Sequence, residues 1–302
     1  MQLKSGHFFI FALALSAVLS AVSTSAENWP QWRGPRSQGI STEQKVPADW
    51  GPDRNIAWKV AVPPGHSSPV VWGNRIFLTA AIEGDPIPNQ KAAEHTLGGK
   101  PFVHPDSVAA DRRHTLKVLA LDTKSGRMVW EHTAYDGPVY DARHRESSFA
   151  GPTAATDGAM VFAYFGAEGL FAYTVDGKLV WKAVEPIRTL GLGTGTSPVV
   201  YENLVIIQRD EDEGEKSEIV AYDKRTGKVA WRTKRQVQIS WATPILVDVS
   251  GHTELITNAT DASSRMTLPP GRSCGDRRVS IAMPFTRPWL AMVSSSSRPG
   301  TP

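Results

Sequence analysis

The sequence has a single cysteine, Cys274. One thiol cannot close an internal disulfide, and there is no neighbouring cysteine pair to line a redox site. An excess of charge of one sign is also missing. The 33 basic residues stand against 30 acidic ones, for a formal net charge of +3. That even balance excludes the basic stripe a nucleic-acid-binding surface requires. Long apolar runs are scarce. The run from Phe8 to Val22 follows Lys4, precedes Thr24-Ser25-Ala26, and is short for a membrane span. Positive start, apolar middle and small residues at the end are the order of an export signal. Residues 1–26 are therefore predicted to be cleaved after Ala26. The mature chain is expected to be exported, periplasmic or secreted, with no membrane span. Mass spectrometry of the exported protein should find Glu27 as its first residue; an intact Met1 would contradict this reading.

What the sequence does have is a repeat. "ALDTKSGRMVW", "AYTVDGKLVW" and "AYDKRTGKVAW" end at Trp130, Trp181 and Trp231, which are 51 and 50 residues apart. Gly126, Gly177 and Gly227 each stand four residues before their tryptophan. Each segment reads as strand, tight turn, strand, with glycine taking positive φ in the turn and, in the first and third, Asp capping it. A second signature, a short strand after a proline and then an apolar strand, recurs at Pro152, Pro198 and Pro244, 46 residues apart each time. An earlier copy begins at Ser68-Pro69. Two hairpins per period make four strands, so the chain is predicted to be all-β, a β-propeller of four-stranded antiparallel blades. The tryptophans are expected to fill the gaps between neighbouring blades. One connection departs from the pattern: Ala81–His114 is long, polar, and rich in glycine and proline. It reads as a surface insertion in the first blade, a lid or partner loop.

The repeat fails where its next copy is due. Near residue 274 the chain offers "MTLPPGRSCG", Met266–Gly275. One permitted coding sequence for it is ATG ACC CTG CCA CCG GGA AGG AGT TGT GGN. Read one nucleotide earlier, it encodes Asp-Pro-Ala-Thr-Gly-Lys-Glu-Leu-Trp, the missing hairpin. In the same frame "FTRPWLAMV", Phe285–Val293, yields His-Ser-Pro-Leu-Ala-Gly-Asp-Gly, and the Ser294–Ser297 run becomes apolar. Residues 262–302 are therefore read as an aberrant tail translated out of frame, and residues 27–261 as the in-frame repeats. The competing reading is a divergent tail.

The segments "NWPQWRGPRSQGIS", "VPADWGPDRNIAWKVAVPPGHSSPVVWGNRIFLTA" and "SFAGPTAATDGAMVFAYFGAEGLFAYTVDGKLVW" closely resemble secreted PQQ-binding-like β-propeller repeat proteins. These are relatives of the outer-membrane protein assembly factor B type and, more distantly, of quinoprotein alcohol dehydrogenases. The resemblance implies a ring of seven or eight blades, of which four to five are recognisable here and about four are in frame. It also brings in the quinone cofactor PQQ with calcium. In the dehydrogenases that site needs carboxylate and amide ligands, an Asp base and usually paired cysteines. The cysteine pair is absent, and no Asp or Asn matches the ligand motif. No cofactor and no metal site are expected, and no catalytic residue is assigned.

The remaining motifs are weak. Asp210-x-Asp212-x-Gly214 alternates carboxylates as a calcium loop does, but the later ligands are missing, so a solvated hairpin tip is expected. "GLGTGTS", Gly191–Ser197, precedes a strand rather than a helix and has no P-loop lysine. His95, His104, His114, His132 and His144 show no metal-ligand spacing. Gly65–Ser68 is not a nucleophile elbow. "DARHRESS", Asp141–Ser148, is a charged loop before an inner strand. Arg143, His144 and Arg188 are the candidates for ligand or partner contact; the alternative is solvated loop residues. The chain is read as an exported, non-enzymatic propeller scaffold binding a protein or a small ligand. The alternatives are a PQQ-dependent quinoprotein oxidoreductase and a non-functional truncated gene product.

Overall fold

A computed structural model describes residues 26–44, 46–259 and 263–268. Each sheet is a meander whose neighbouring strands run antiparallel. The first sheet contains β1 (Val70–Trp72) and β2 (Arg75–Pro86). The chain then leaves for an excursion holding β3 (His95–Leu97), β4 (Lys100–Phe102) and β5 (Ser107–Val108). It returns as β6 (Arg112–Asp122) and β7 (Met128–Pro138). The bridge strand β8 (Arg143–His144) pairs with β5. The second sheet is β9 (Ala155–Thr156), β10 (Met160–Tyr164), β11 (Leu170–Thr174) and β12 (Leu179–Ala183). The third is β13 (Val199–Tyr201), β14 (Leu204–Arg209), β15 (Glu218–Asp223) and β16 (Val229–Lys234). The fourth has three strands among the described residues: β17 (Ile245–Val249), β18 (His252–Asn258) and β19 (Ser263–Leu268). A single 3-10 turn, Gly166–Glu168, joins β10 to β11.

The middle strands are buried on both faces, so they read as unbroken apolar runs such as "MVFAY" and "LVIIQ". The period-2 pleat then sorts side chains between neighbours. Val161, Ala163, Phe171 and Tyr173 pack with Phe77, Leu116, Val118 and Ala120 of the first sheet. Phe162, Tyr164, Leu170 and Ala172, one residue out of phase, pack with Val205, Ile207, Val220 and Tyr222 of the third. Leu204, Ile206, Ile219 and Ala221 do the same with Leu255 and Leu268 of the fourth.

The tryptophan–glycine spacing has a concrete basis. Trp130 donates its indole N–H to the Val175 carbonyl at 2.9 Å, and Trp181 donates to the Lys224 carbonyl at 2.9 Å. Each acceptor lies in the turn before the outer strand of the following sheet. The indole then lies over that turn's glycine. A Cβ on Gly177 would stand 2.9 Å from the Trp130 ring, and one on Gly227 would stand 2.5 Å from the Trp181 ring. Both glycines also have positive φ, +93° and +70°, so conformation and space each require glycine. Trp58 makes the same contact, donating to the Thr123 carbonyl at 2.9 Å above Gly126. Sequence reasoning missed Trp58 because Arg54, not glycine, stands four residues before it.

Trp231 occupies the equivalent place in β16, beside the same register shift in its pairing strand. Its Nε1 is buried without a hydrogen-bond partner among the described residues. The residues that follow β19 lie outside them. Ser263–Leu268 forms a third strand of the fourth sheet, with Leu268 buried beside Leu255. Alternation of Ser264, Met266 and Leu268 with polar neighbours suffices for one more pairing. The rest of the tail, with Cys274, lies outside the described residues, as does the expected export signal apart from Ala26.

Candidate functional site

Because each sheet is a meander, its connections alternate between two ends. The short turns, such as 73–74, 123–127 and 224–228, lie at one end. The Ala81–His114 insertion and the connections 139–154, 165–169, 184–198, 210–217 and 235–244 lie at the other, which forms a loop face. The insertion begins as an extension of the β2–β6 hairpin, whose pairing continues to Pro86 and Arg112.

A buried ion cluster fastens the insertion to that face. His95 Nδ1 lies 2.9 Å from Asp212 Oδ2, and its Nε2 lies 2.9 Å from Asp141 Oδ1. All three side chains are buried, Asp212 completely. Asp141 Oδ2 accepts hydrogen bonds from the Thr189 N–H and hydroxyl at 2.8 and 2.7 Å. Asp212 Oδ1 accepts one from the Leu190 N–H at 2.7 Å. Burial opposes charge on the imidazole, but hydrogen bonds to two carboxylates outweigh it and push His95 up to about 9. At neutral pH it is an imidazolium held between two carboxylates. The insertion, the connection after the first sheet, the connection after the second and the β14–β15 loop meet at this one residue.

A second buried acid sits beside the cluster. Glu168 in the 3-10 turn accepts the Tyr140 N–H at 2.8 Å. Burial, with the charge of Asp141 adding to it, pushes Glu168 up to about 7.

The expected solvated tip at Asp210–Gly214 is not what forms. Asp210, Glu211 and Asp212 are all buried: Asp212 lies against the insertion and the 184–198 connection, Glu211 against the latter, and Asp210 against the 235–244 connection. Glu211 accepts the Lys216 N–H at 2.9 Å and pairs with Arg188 at 3.5 Å. Asp210 Oδ2 accepts Gln208 Nε2 at 2.8 Å and the Ser240 hydroxyl at 2.5 Å, with Arg235 at 3.4 Å. No calcium-type ligand ring results, and no metal-binding group of three or more His, Cys, Asp or Glu is present among the described residues.

The three residues singled out from the sequence do not converge on one point. Arg143 donates to the carbonyls of His144 and Ser147 at 3.2 and 2.9 Å and pairs with Glu83 at 3.0 Å, tying its loop to the long hairpin. His144 lies 3.6 Å from Asp106 of the insertion. Arg188 lies apart from both, 3.8 Å from Asp212. The residues that do converge, His95, Asp141 and Asp212, come from three separate segments and carried no local motif. The one available signal was four consecutive acids, Asp210–Glu213, directly after an apolar strand.

A small cleft, with room for about one water molecule, opens at the loop face between the second sheet, the third sheet and the 235–244 connection. Tyr164, Thr189, Thr194, Gln208, Asp210 and Trp241 are among the residues lining it. Gln208 Oε1 and Asp210 Oδ1 are buried acceptors without partners among the described residues. The cleft does not suit the quinone that the resemblance brings in. That ligand is a rigid tricycle bearing several carboxylates and calls for a larger pocket with donors, whereas the two unsatisfied groups on residues lining this cleft are acceptors. Arg209 lines the cleft, but its guanidinium is held by Glu185 and Glu218 at 2.8 and 2.7 Å.

Sheets stacked through tryptophan–glycine contacts define a PQQ-like propeller repeat protein. Residues 48–251 match the family model described as outer membrane protein assembly factor BamB, and the chain belongs to that family. No curated protein matches the sequence. Among solved structures, the chain is similar to a quinohemoprotein alcohol dehydrogenase from Comamonas testosteroni. That match has 20% identity and a TM-score of 0.45, covering 70% of this chain and 28% of that one. It is also similar to BamB from Moraxella catarrhalis, at 14% identity and a TM-score of 0.35, covering 64% and 63%. A europium-containing methanol dehydrogenase matches at 19% identity and a TM-score of 0.38, covering 60% and 27%. The chain thus spans less than two thirds of the length of each. No helix among the described residues is long and apolar enough to cross a membrane.

Proposed function

We propose that the chain is an exported, non-enzymatic scaffold whose loop face binds a protein partner. The carrying observation is the insertion pinned by the buried His95 cluster. A pinned loop loses little entropy on binding. It also holds apolar groups in water: Val103 is 83% exposed, and Leu97, Tyr140 and Trp241 are exposed on the same face. Aromatic and apolar side chains displayed on a preorganised surface fit a protein partner better than a small polar solute. The test is photo-crosslinking in the exporting cell. A crosslinker at Val103 or Leu97 should give a discrete protein adduct, and one at Asn74 on the turn face should not. Equal adducts from both faces, or tight binding of PQQ with calcium and dye-linked alcohol oxidation, would overturn the reading.

A second proposal concerns the tail. An out-of-frame tail is supported by the repeat itself, whose turns at Asp122–Gly126 and Asp223–Gly227 share one spacing. The frame-corrected Asp-Pro-Ala-Thr-Gly turn would place a carbonyl after its Asp, where Thr123 and Lys224 supply theirs. Resequencing the gene around codon 262 tests this. A confirmed sequence whose shifted frame meets a stop before a new Gly-x-x-x-Trp would refute it.

A further inference from the structure

Two features of the loop face, the insertion and Trp241, come from separate segments and bear on the same short stretch of chain, residues 189–195. Trp241 is 40% exposed, and its indole N–H donates to the Gly193 carbonyl at 2.9 Å. A Cβ on Gly195 would stand 3.2 Å from the Trp241 Cβ, so backbone and side chain are in close contact there. The insertion bears on Gly191. Ser107 donates its hydroxyl to the Gly191 carbonyl at 2.8 Å. A Cβ on Gly191 would collide with Ser107 Oγ and stand 3.6 Å from His95 Nε2.

A chain of hydrogen bonds joins the two contacts. His95 Nε2 meets Asp141 Oδ1 at 2.9 Å, and Asp141 Oδ2 accepts the Thr189 hydroxyl at 2.7 Å. The same Thr189 oxygen accepts the Gly193 N–H at 3.0 Å, and the Gly193 carbonyl carries the Trp241 indole. This loop is not at rest in the conformation it adopts. Leu190 has a φ of +53°, in the left-handed region that a bulky side chain avoids. Its N–H is held by Asp212 Oδ1 at 2.7 Å, and its side chain is buried. A strained residue persists only while its surroundings over-determine it. Here those surroundings include Asp141 and Asp212, the two carboxylates that His95 bridges.

We infer that residues 189–193 are a strained coupling element: the insertion, through His95, holds the loop in its left-handed form, and the loop holds Trp241. When the insertion is released, Leu190 relaxes, Thr189 leaves Asp141, and the Gly193 carbonyl turns away from the indole. The insertion and Trp241 thus share two linked arrangements, pinned and released. Anything that binds one arrangement in preference to the other shifts both. Thr189 is the positioning residue for Trp241, because its one hydroxyl serves the carboxylate and the Gly193 N–H together. The coupling is a property of the free chain; only its use by a protein seated on the insertion rests on the loop-face reading.

The test is the indole resonance of Trp241 in 15N-tryptophan-labelled chain, identified by its loss in Trp241→Phe. His95→Leu should shift this resonance and make its hydrogen exchange several-fold faster, as loss of one hydrogen bond requires. The Trp181 indole, bound to the Lys224 carbonyl, should stay as in the wild type. Thr189→Val removes the linking hydroxyl without touching the His95 pin. It should move Trp241 in the same way while proteolysis within residues 87–111 stays slow. Thr189→Ser keeps the hydroxyl and should keep the wild-type resonance. An unmoved Trp241 resonance in a His95→Leu chain whose insertion is cut faster would overturn the inference. So would equal shifts at Trp241 and Trp181, or the same shift in Thr189→Ser as in Thr189→Val.

Discussion

Replacing Trp181 by alanine should lower stability by about 3–5 kcal/mol, the cost of emptying a large aromatic site in a core. Trp181 is 9% exposed. Its ring joins the second sheet to the third, stacking on Tyr222 with centroids 6.3 Å apart, and its indole N–H binds the Lys224 carbonyl. The change therefore removes packing and leaves a carbonyl without its donor. The reciprocal change, Gly227→Ala, should destabilise as well, because a Cβ there meets the same ring at 2.5 Å and φ is +70°. Ala at Trp231 should cost less than at Trp181, since Trp231 is only partly buried where Trp181 is buried. Urea unfolding of the three variants gives this order directly.

The second large effect is expected at His95. His95→Leu removes the cation between two buried carboxylates, and breaking a buried pair in this way costs about 3–5 kcal/mol. The loss should appear first as release of the insertion, read as faster proteolysis within residues 87–111. The pH dependence gives an independent check. A histidine whose folded value is raised from 6.5 to about 9 binds protons more tightly in the fold. Its stabilisation is complete below about 6.5 and is lost as pH rises through about 9. Glu168, raised from 4.5 to about 7, acts in a lower window, and its burial makes stability fall as pH rises from 4.5 through 7. The groups facing His95 are Asp141 and Asp212, with Arg188 and Glu168 behind them. The His95→Leu variant should lose the upper slope and keep the lower one. A wild-type unfolding midpoint that stays flat between pH 6.5 and 9 would show that the imidazolium cluster does not form.

The blades were legible because their signals are local. A glycine four residues before a tryptophan encodes both the positive φ of a turn and the open space for the preceding sheet's indole. Apolar runs such as "LVIIQ" encode a strand buried on both faces. Trp58 was not legible, because its own hairpin is missing and only the docking surface on Gly126 reveals its role. The ion cluster was not legible either. His95, Asp141 and Asp212 lie in three connections, and no spacing rule relates them. Sequence patterning made "DED" look solvated, since the insertion that buries it lies more than a hundred residues upstream. Arg143, His144 and Arg188 were chosen as charged residues in loops near the mouth. In the structure their charges face Glu83, Asp106, Glu211 and Asp212.

The central claim is that this chain is a stack of sheets, the first latched to the second and the second to the third by an indole N–H on a turn carbonyl. Indole hydrogen exchange, read by nuclear magnetic resonance with 15N-labelled tryptophan, tests it most directly. The account predicts strong protection for the Trp58, Trp130 and Trp181 indole protons, against rapid exchange at Trp50, which is 68% exposed. Exchange of all four at the same rapid rate in folded protein would contradict it.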